Sequence, residues 1–373
     1  MKIAIVHDQL KEFGGAERVL VALKKIFPKA DIFTAFANKE SLKRHVPQYT
    51  DWKIKSSWAA KIPFFAKLYS PLRFLAPKIW ESFDFTSYDL VISSSGWYMS
   101  KGVITKSPTI HISYLHHPPR YLYGYETAVV WQKYWPVKIY AHIVNHYLRV
   151  WDYTSSQRAN YFIVNSEETK KRVKKFYRRD STIIYPPVNV PKKIATWHIQ
   201  RGTYYITVSR LTRAKHIDLL INAVNKLDLP LKIVGTGRDE KYLKSIAGAS
   251  IDFVGNITDQ ELSKLYQGAK VFLFAAVDEE FGIAPVEAMG HGVPVIAYLS
   301  GGLTETVQEG INGFLFNSLN ENSLMEKIKL LESLPVEKYL ALRKNARQAS
   351  ENFSQEKFNE RILKFVKEHA RAA

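Results

Sequence analysis

Short apolar runs rich in β-branched residues alternate along this chain with stretches whose apolar positions recur at helical spacing. Ile3–His7 is the first such run, and residues 16–27 place their apolar side chains on one helical face. The pattern therefore predicts a strand, a loop at Glu12-Phe13-Gly14-Gly15 and a helix. Buried-strand patterns follow at 89–93, 110–114 and 161–165, and the last opens a helix near Glu167 that Asn165 or Ser166 is placed to cap. Tyr185-Pro186-Pro187-Val188-Asn189 cannot continue a helix, and a short polar segment runs from it through Gly202, so a domain boundary is predicted there. The alternation then restarts, with strands at 204–208, 231–234, 251–254, 271–275 and 293–297. Strands separated by helical stretches of about 10 to 15 residues imply parallel sheets with right-handed crossovers. In the tail, 354–369, Phe358, Ile362, Phe365 and Val366 recur at helical spacing, which predicts a helix that docks by that face.

A chain of 373 residues exceeds what one hydrophobic core usually serves, so two domains are expected, at 1–190 and 200–352, with the helix of 353–373 packing back toward the first. Apolar residues at 46% and charged residues at 24% are those of a globular protein and exclude disorder. The absence of cysteine removes disulfide frameworks, thiolate zinc sites and cysteine nucleophiles together. The opening MKIAIVHDQL lacks the pattern of a signal peptide, and no apolar run approaches the roughly 18 residues of a spanning helix. A cytoplasmic location, with peripheral attachment to the inner face of the cell membrane, is the expectation. The formal charge of +18 calls for an anionic partner: nucleic acid, anionic membrane or a phosphorylated small molecule.

Residues 278–296 hold the densest candidate chemistry. A strand ends just before them, Gly282 admits close approach of a ligand to the backbone, and Pro285 suits the first turn of a helix. A helix N-terminus thus falls at the carboxyl end of a parallel strand, where such sheets bind ligands and where unpaired amides favour phosphate. Gly282 and Pro285 prevent one helix from carrying both Glu279 and Glu287, so the two carboxylates flank a loop-to-helix junction and are suited to accept from the hydroxyls of a ribose or hexose. The plainer alternative leaves Glu287 as a dipole partner of its helix and Glu279 as a solvated loop residue.

From Glu279 through Ile296 the sequence resembles the signature E-x-F-G-x-x-x-x-E-A-M-x-x-G-x-P-V-I of the retaining glycosyltransferases of family 4, the group 1 type. That resemblance implies an α/β fold of GT-B architecture, two Rossmann-like domains whose parallel sheets face a central cleft. It implies that Glu287 binds the nucleotide ribose, that Glu279 lies beside the transferred sugar, and that Phe281 and Gly282 offer main-chain contacts, with Ile283 also on the donor side. Val208-Ser209-Arg210-Leu211 and Lys215 look like the family's pair of cations on the donor diphosphate. Such a pair is what a departing nucleoside diphosphate requires, since its growing negative charge must be stabilised. Gly14-Gly15-Ala16-Glu17-Arg18 resembles the family's glycine-rich loop, whose amides approach a phosphate or the reacting sugar. His116-His117-Pro118-Pro119-Arg120-Tyr121 is similar to Y-C-H-T-P-x-R-Y of bacterial lipopolysaccharide mannosyltransferases, with His116 at the position that contacts the donor sugar; Leu115 and His117 depart from that pattern. Further likeness at Arg149-Val150-Trp151-Asp152, Asn165-Ser166 and 185–188 is to the same mannosyltransferases, whose usual donor is GDP-mannose.

Other chemistries lack their residues. His142 and His146 have zinc-helix spacing, but Ile143 stands where a metalloprotease needs Glu; there is no Asp-x-Asp, and no G-x-G-x-x-G. Gly235-Thr236-Gly237 reads as a turn with a nucleotide contact at Gly235. No metal and no cofactor is expected. Residues 52–80 contain six Lys or Arg, seven aromatics and no acidic residue, a composition suited to an anionic lipid interface, and Lys170, Lys171, Lys174, Lys175, Arg178 and Arg179 add to the charge. The function expected is retaining transfer of a hexose, mannose from GDP-mannose, to a glycan or lipid-linked acceptor in cell-surface polysaccharide synthesis. Here Arg210 and Lys215 stabilise the leaving diphosphate while Glu279 and His116 orient the sugar. The alternatives are a UDP-sugar-dependent transferase, a sugar-nucleotide epimerase of the same architecture, and a basic protein that binds membrane or nucleic acid; nucleic acid is not the expected partner.

Overall fold

The computed structural model describes the chain except residues 12, 39, 41–45, 47–49, 128–133, 193–201 and 371–373; Glu12 of the predicted first loop and most of the polar segment before Gly202 lie outside the described residues. The chain divides into two compact units, one of residues 1–125, 130–187 and 356–373, the other of 126–129 and 188–355. In chain order the first carries β1 (Ile3–His7), α1 (Gly15–Ile26), β2 (Asp31–Thr34), β3 (Ile54–Ser56), α2 (Ala76–Glu81), β4 (Leu90–Ser95), β5 (Ile110–Leu115), α3 (Trp135–Ser156), β6 (Tyr161–Val164), α4 (Glu167–Tyr177) and β7 (Thr182–Ile183). The second carries β8 (Tyr204–Val208), α5 (Ile217–Leu227), β9 (Leu231–Val234), α6 (Glu240–Ile246), β10 (Ile251–Gly255), α7 (Asp259–Gly268), β11 (Ala269–Phe274), α8 (Ile283–Gly290), β12 (Val295–Tyr298), β13 (Gly313–Phe316), α9 (Glu321–Glu332) and α10 (Val336–Ser350), and α11 (Gln355–His369) closes the chain.

Among the described residues the first unit holds a seven-stranded sheet in the order β3-β2-β1-β4-β5-β6-β7 and the second a six-stranded sheet in the order β10-β9-β8-β11-β12-β13. Every pairing is parallel. Both are Rossmann-like, and both sheets are buried on two faces, as parallel sheets with helical crossovers must be. In β1, Ala4 and Val6 join an aromatic-rich cluster with Phe33, Phe36, Trp80 and Tyr98. Ile5 turns the other way, toward Val19, Leu20 and Leu23 of α1. The predicted apolar face of the tail, Phe358, Ile362, Phe365 and Val366, is buried in that second layer, so α11 completes the core of the first unit. In β11, Val271 and Leu273 face α5 and α9, while Phe272 and Phe274 face Ala288 and Met289 of α8. Ser166 caps α4 by accepting from the amide of Thr169 at 3.0 Å.

The first strand of each unit pairs on both sides: β1 lies between β2 and β4, β8 between β9 and β11. Successive crossovers leave that strand in opposite directions, which opens a crevice at its carboxyl end. In the first unit Asp8, one residue beyond β1, closes the base of that crevice. Its buried carboxylate accepts from the amides of Gly96 at 2.9 Å, Tyr98 at 2.8 Å and Ser100 at 2.8 Å, holding the loop after β4.

Two buried histidines tie stability to pH. His111 on β5 has Nε2 2.8 Å from Ser93 Oγ; burial, reinforced by the charge of Lys101, lowers its pKa from 6.5 to about 3. Burial, with the nearby Arg347, lowers that of His291 to about 4. The unfolded chain takes up protons below pH 6.5 that the folded one refuses, so this stability is full above pH 6.5 and is lost as pH falls toward about 3. Denaturant melts should show stability declining by on the order of 1 to 2 kcal/mol per histidine by pH about 5. His111→Gln should make that decline shallower, and an unchanged slope in the variant would contradict the assignment.

Candidate functional site

In the second unit the structure gathers the predicted cations and carboxylates at the crevice of β8 and β11. Arg210 lies two residues beyond β8 with an exposed side chain, and Lys215 ends a short 3-10 turn, Arg213–Lys215, that leads into α5. Lys215 Nζ is 2.5 Å from Glu279 Oε2, with both side chains mostly buried, and the ammonium also sits 5.5 Å from the ring centre of Phe274 at the end of β11. The junction after β11 separates the two carboxylates: Glu279 is in the loop, Gly282 is the N-cap of α8, and Glu287 is inside that helix at 7% exposure. Phe281 is buried and packs edge-on to Phe353 at 5.2 Å between ring centres, anchoring the loop, and Ile283 opens the helix. Two cations after one strand and a helix N-terminus after its neighbour make a place for a di-anion, with carboxylates beside it for hydroxyl groups.

Backbone packing sets these loops. Gly301 has φ +58, and a Cβ there would lie 2.0 Å from the carbonyl oxygen of Glu279; the next residue's amide, Gly302, donates to that same oxygen at 2.8 Å. Ser300 Oγ accepts from the amide of Asp278 at 3.0 Å. The loop after β12 therefore holds Glu279 in place, a role the sequence pattern did not single out, although its Ser-Gly-Gly run at a strand end is the visible trace. Gly235, the expected nucleotide contact, lies in the loop after β9 and is held by its own backbone packing. Its amide donates to Gly255 at 2.8 Å, and a Cβ would lie 2.0 Å from the carbonyl oxygen of Ser209, so this glycine lets the loop after β9 stack on Ser209 and Arg210.

The first unit carries a separate polar chain at its own crevice. His116, one residue past β5 and 8% exposed, has Nε2 2.8 Å from Ser94 Oγ, which is 3.1 Å from His7 Nδ1. His7 Nε2 in turn lies 3.6 Å from Glu17 Oε1. Ser94 has one proton and stands between two imidazoles, so the hydrogen-bond directions at His7 and His116 are linked. The carbonyl of His116 accepts from Asn165 Nδ2 at 2.9 Å, whereas His117 Nδ1 is 2.9 Å from Pro118 O. Gly14 is the N-cap of α1, and its amide donates to Glu17 Oε2 at 2.8 Å. Gly14 and Gly15 are both exposed, and Gly15 begins the helix. The sequence reading gave no joint role to His7, Ser94 and Glu17, because nothing in their spacing brings β1, β4 and α1 together. His142 and His146 lie exposed on α3, and among the described residues no group of three or more potential ligands is placed to hold a metal.

Residues 192–349, which fall almost wholly within the second unit, match the model of the family "Glycosyl transferases group 1". The chain is 25% identical over 257 residues to the UDP-N-acetylglucosamine–peptide N-acetylglucosaminyltransferase GtfA subunit of Streptococcus pneumoniae, a match covering 65% of this chain and 48% of that one. It is 27% identical over 253 residues to the human alpha-1,3/1,6-mannosyltransferase ALG2, covering 58% of this chain and 60% of that one. It spans about half the length of the curated relatives it matches. The structure of Anabaena Alr3699/HepE in complex with UDP superposes with a TM-score of 0.73 at 19% identity, covering 99% of this chain and 100% of that one. The fold is thus that of the two-domain GT-B glycosyltransferases.

Gly301→Ala should disturb Glu279 through the collision with its carbonyl, destabilising the protein by about 1 to 3 kcal/mol. Thermal melts of the unliganded variant check this, and a melting temperature equal to that of the wild type would show that the loop yields without cost.

Proposed function

We propose that the protein is a glycosyltransferase that moves a hexose, mannose from GDP-mannose, to a glycan or lipid-linked acceptor with retention of anomeric configuration. The observation that carries the reading is the Lys215–Glu279 pair at 2.5 Å beside the start of α8. A cation fixed there meets the negative charge that gathers on a departing nucleoside diphosphate, and its carboxylate partner is close enough to accept from a sugar hydroxyl. Arg210 is the second cation on the diphosphate and Glu287 the acceptor for the ribose hydroxyls, with Ser209, Phe281, Gly282 and Ile283 lining the donor. His116 contacts the transferred sugar, and its hydrogen bond to Ser94 keeps the ring in one orientation.

In the transfer the bond from the anomeric carbon to the diphosphate breaks and its electron pair leaves with the phosphate. The acceptor oxygen bonds to the same face of that carbon, and its proton passes to the departing phosphate oxygen. Cationic side chains fill the charge-stabilising role, and no metal is needed. A human mannosyltransferase among the relatives supports the choice of sugar. The second reading is a UDP-sugar donor, favoured by the pneumococcal relative's name and by the UDP bound in the Anabaena structure.

Thermal-shift measurements with GDP-mannose, UDP-glucose and UDP-N-acetylglucosamine separate the two, since ligand binding raises native-state stability by mass action. GDP-mannose should give the largest shift, and a larger shift with a UDP-sugar would transfer the reading to that donor. With the donor so identified, Lys215→Ala should lower turnover by about a hundredfold or more while affecting donor affinity far less. Near-normal turnover at saturating donor would remove Lys215 from the diphosphate site.

A further inference from the structure

Helix α3 buries one face and leaves the other bare. Ala141, Asn145, Leu148 and Trp151 point into the first unit, whereas Trp135, Ile139, Ile143, Tyr147, Val150 and Tyr153 form an exposed stripe along the opposite side, with Trp135 at 73% and Ile143 at 63% exposure. Their spacing of three and four residues keeps them on one side of the helix from Trp135 to Tyr153. So large an exposed apolar stripe on a soluble-protein helix marks a contact surface.

The segment at 70–80 extends it. Phe74 and Lys78 line a shallow groove with Ile143 and Tyr147. Arg73 joins the two elements, donating to Asn145 Oδ1 at 3.0 Å and stacking on Tyr121 and Tyr140, so it is a structural cation and not a docking one. Of the aromatic residues at 52–80, Phe65 and Trp80 belong to the core, while Trp58, Phe64 and Phe74 are exposed. Lys61, Lys67, Lys78 and Lys138 are exposed as well.

We propose that the exposed face of α3, with Phe74 and Lys78 at its edge, lies in the surface of an anionic lipid bilayer. Charge decides the occupant. No acidic residue occurs between Thr127 and Asp152 or within 52–80, so the face is apolar and cationic throughout. A second copy would bring two such faces together within a chain of net charge +18, which repel, whereas anionic headgroups neutralise the lysines. Trp and Tyr rings suit the headgroup level, where one end is wet and the other apolar. Among the described residues no helix is long and apolar enough to cross a membrane, so α3 lies in the surface plane. This surface involves none of the residues assigned to the donor and stands or falls separately from the donor chemistry.

Sedimentation with vesicles of phosphatidylcholine containing about a third phosphatidylglycerol tests it, against pure phosphatidylcholine. The wild-type chain should bind the anionic vesicles and bind the neutral ones weakly. Ile139→Ser with Ile143→Ser should reduce anionic binding about tenfold or more, while the melting temperature and the donor-induced thermal shift stay at wild-type values. A Lys78→Gln, Lys138→Gln variant should lose binding in parallel with added salt. Equal binding by the serine variant, failure of the wild type to bind anionic vesicles, or a wild-type dimer that the serine variant converts to monomer would each overturn the proposal.

Discussion

The reversal of strand order beside β1 and β8 is the constraint from which the rest of the structure follows. A parallel sheet sends every strand's carboxyl end to one edge, and only where successive crossovers part company does that edge open. Arg210, Lys215, Glu279 and the start of α8 stand at this opening in the second unit; Asp8, His7, Ser94 and His116 stand at the corresponding place in the first. The charges are expensive to hold close together, and the fold meets that cost with opposite partners and backbone amides. Lys215 faces Glu279, and the Asp8 carboxylate takes three amides.

Much of this frame is legible in the residues. β1, β8 and β9 fall where the apolar runs place them, because an uninterrupted run of β-branched and aromatic residues has one good solution in a sheet covered on both faces. The strands that the pattern leaves out are β2, β3, β7 and β13. β3 and β7 are three and two residues long at the sheet edge, and short edge strands carry little apolar signal by their nature. Val293 and Pro294 sit outside β12, which starts at Val295; proline supplies no amide to a ladder, and here its carbonyl accepts from Phe272 at 2.9 Å.

The site is legible to the extent that it is local. The loop-to-helix junction of 278–287 can be read because Gly282 and Pro285 punctuate it. Contacts across distant loops cannot: Lys215 and Glu279 are 64 residues apart, and the grip of Gly301 and Gly302 on the Glu279 carbonyl is a backbone matter. Helix α3 carries apolar and polar residues on both its buried and its exposed face, so its composition does not distinguish the face that enters the core from the one left bare. Residues 52–80 pose the same difficulty, with Phe64 exposed at φ +59 and its neighbour Phe65 buried in the aromatic core.

The central claim is that the carboxyl edge of β8 and β11 holds the nucleotide half of a sugar nucleotide, with Glu287 on the ribose. Isothermal titration of the nucleoside diphosphate into wild-type protein and Glu287→Ala tests it most directly, with thermal unfolding to verify that the variant is folded. Removal of a hydrogen-bonded carboxylate should weaken binding by about tenfold or more. A folded Glu287→Ala protein that binds the nucleoside diphosphate as tightly as wild type would contradict the account.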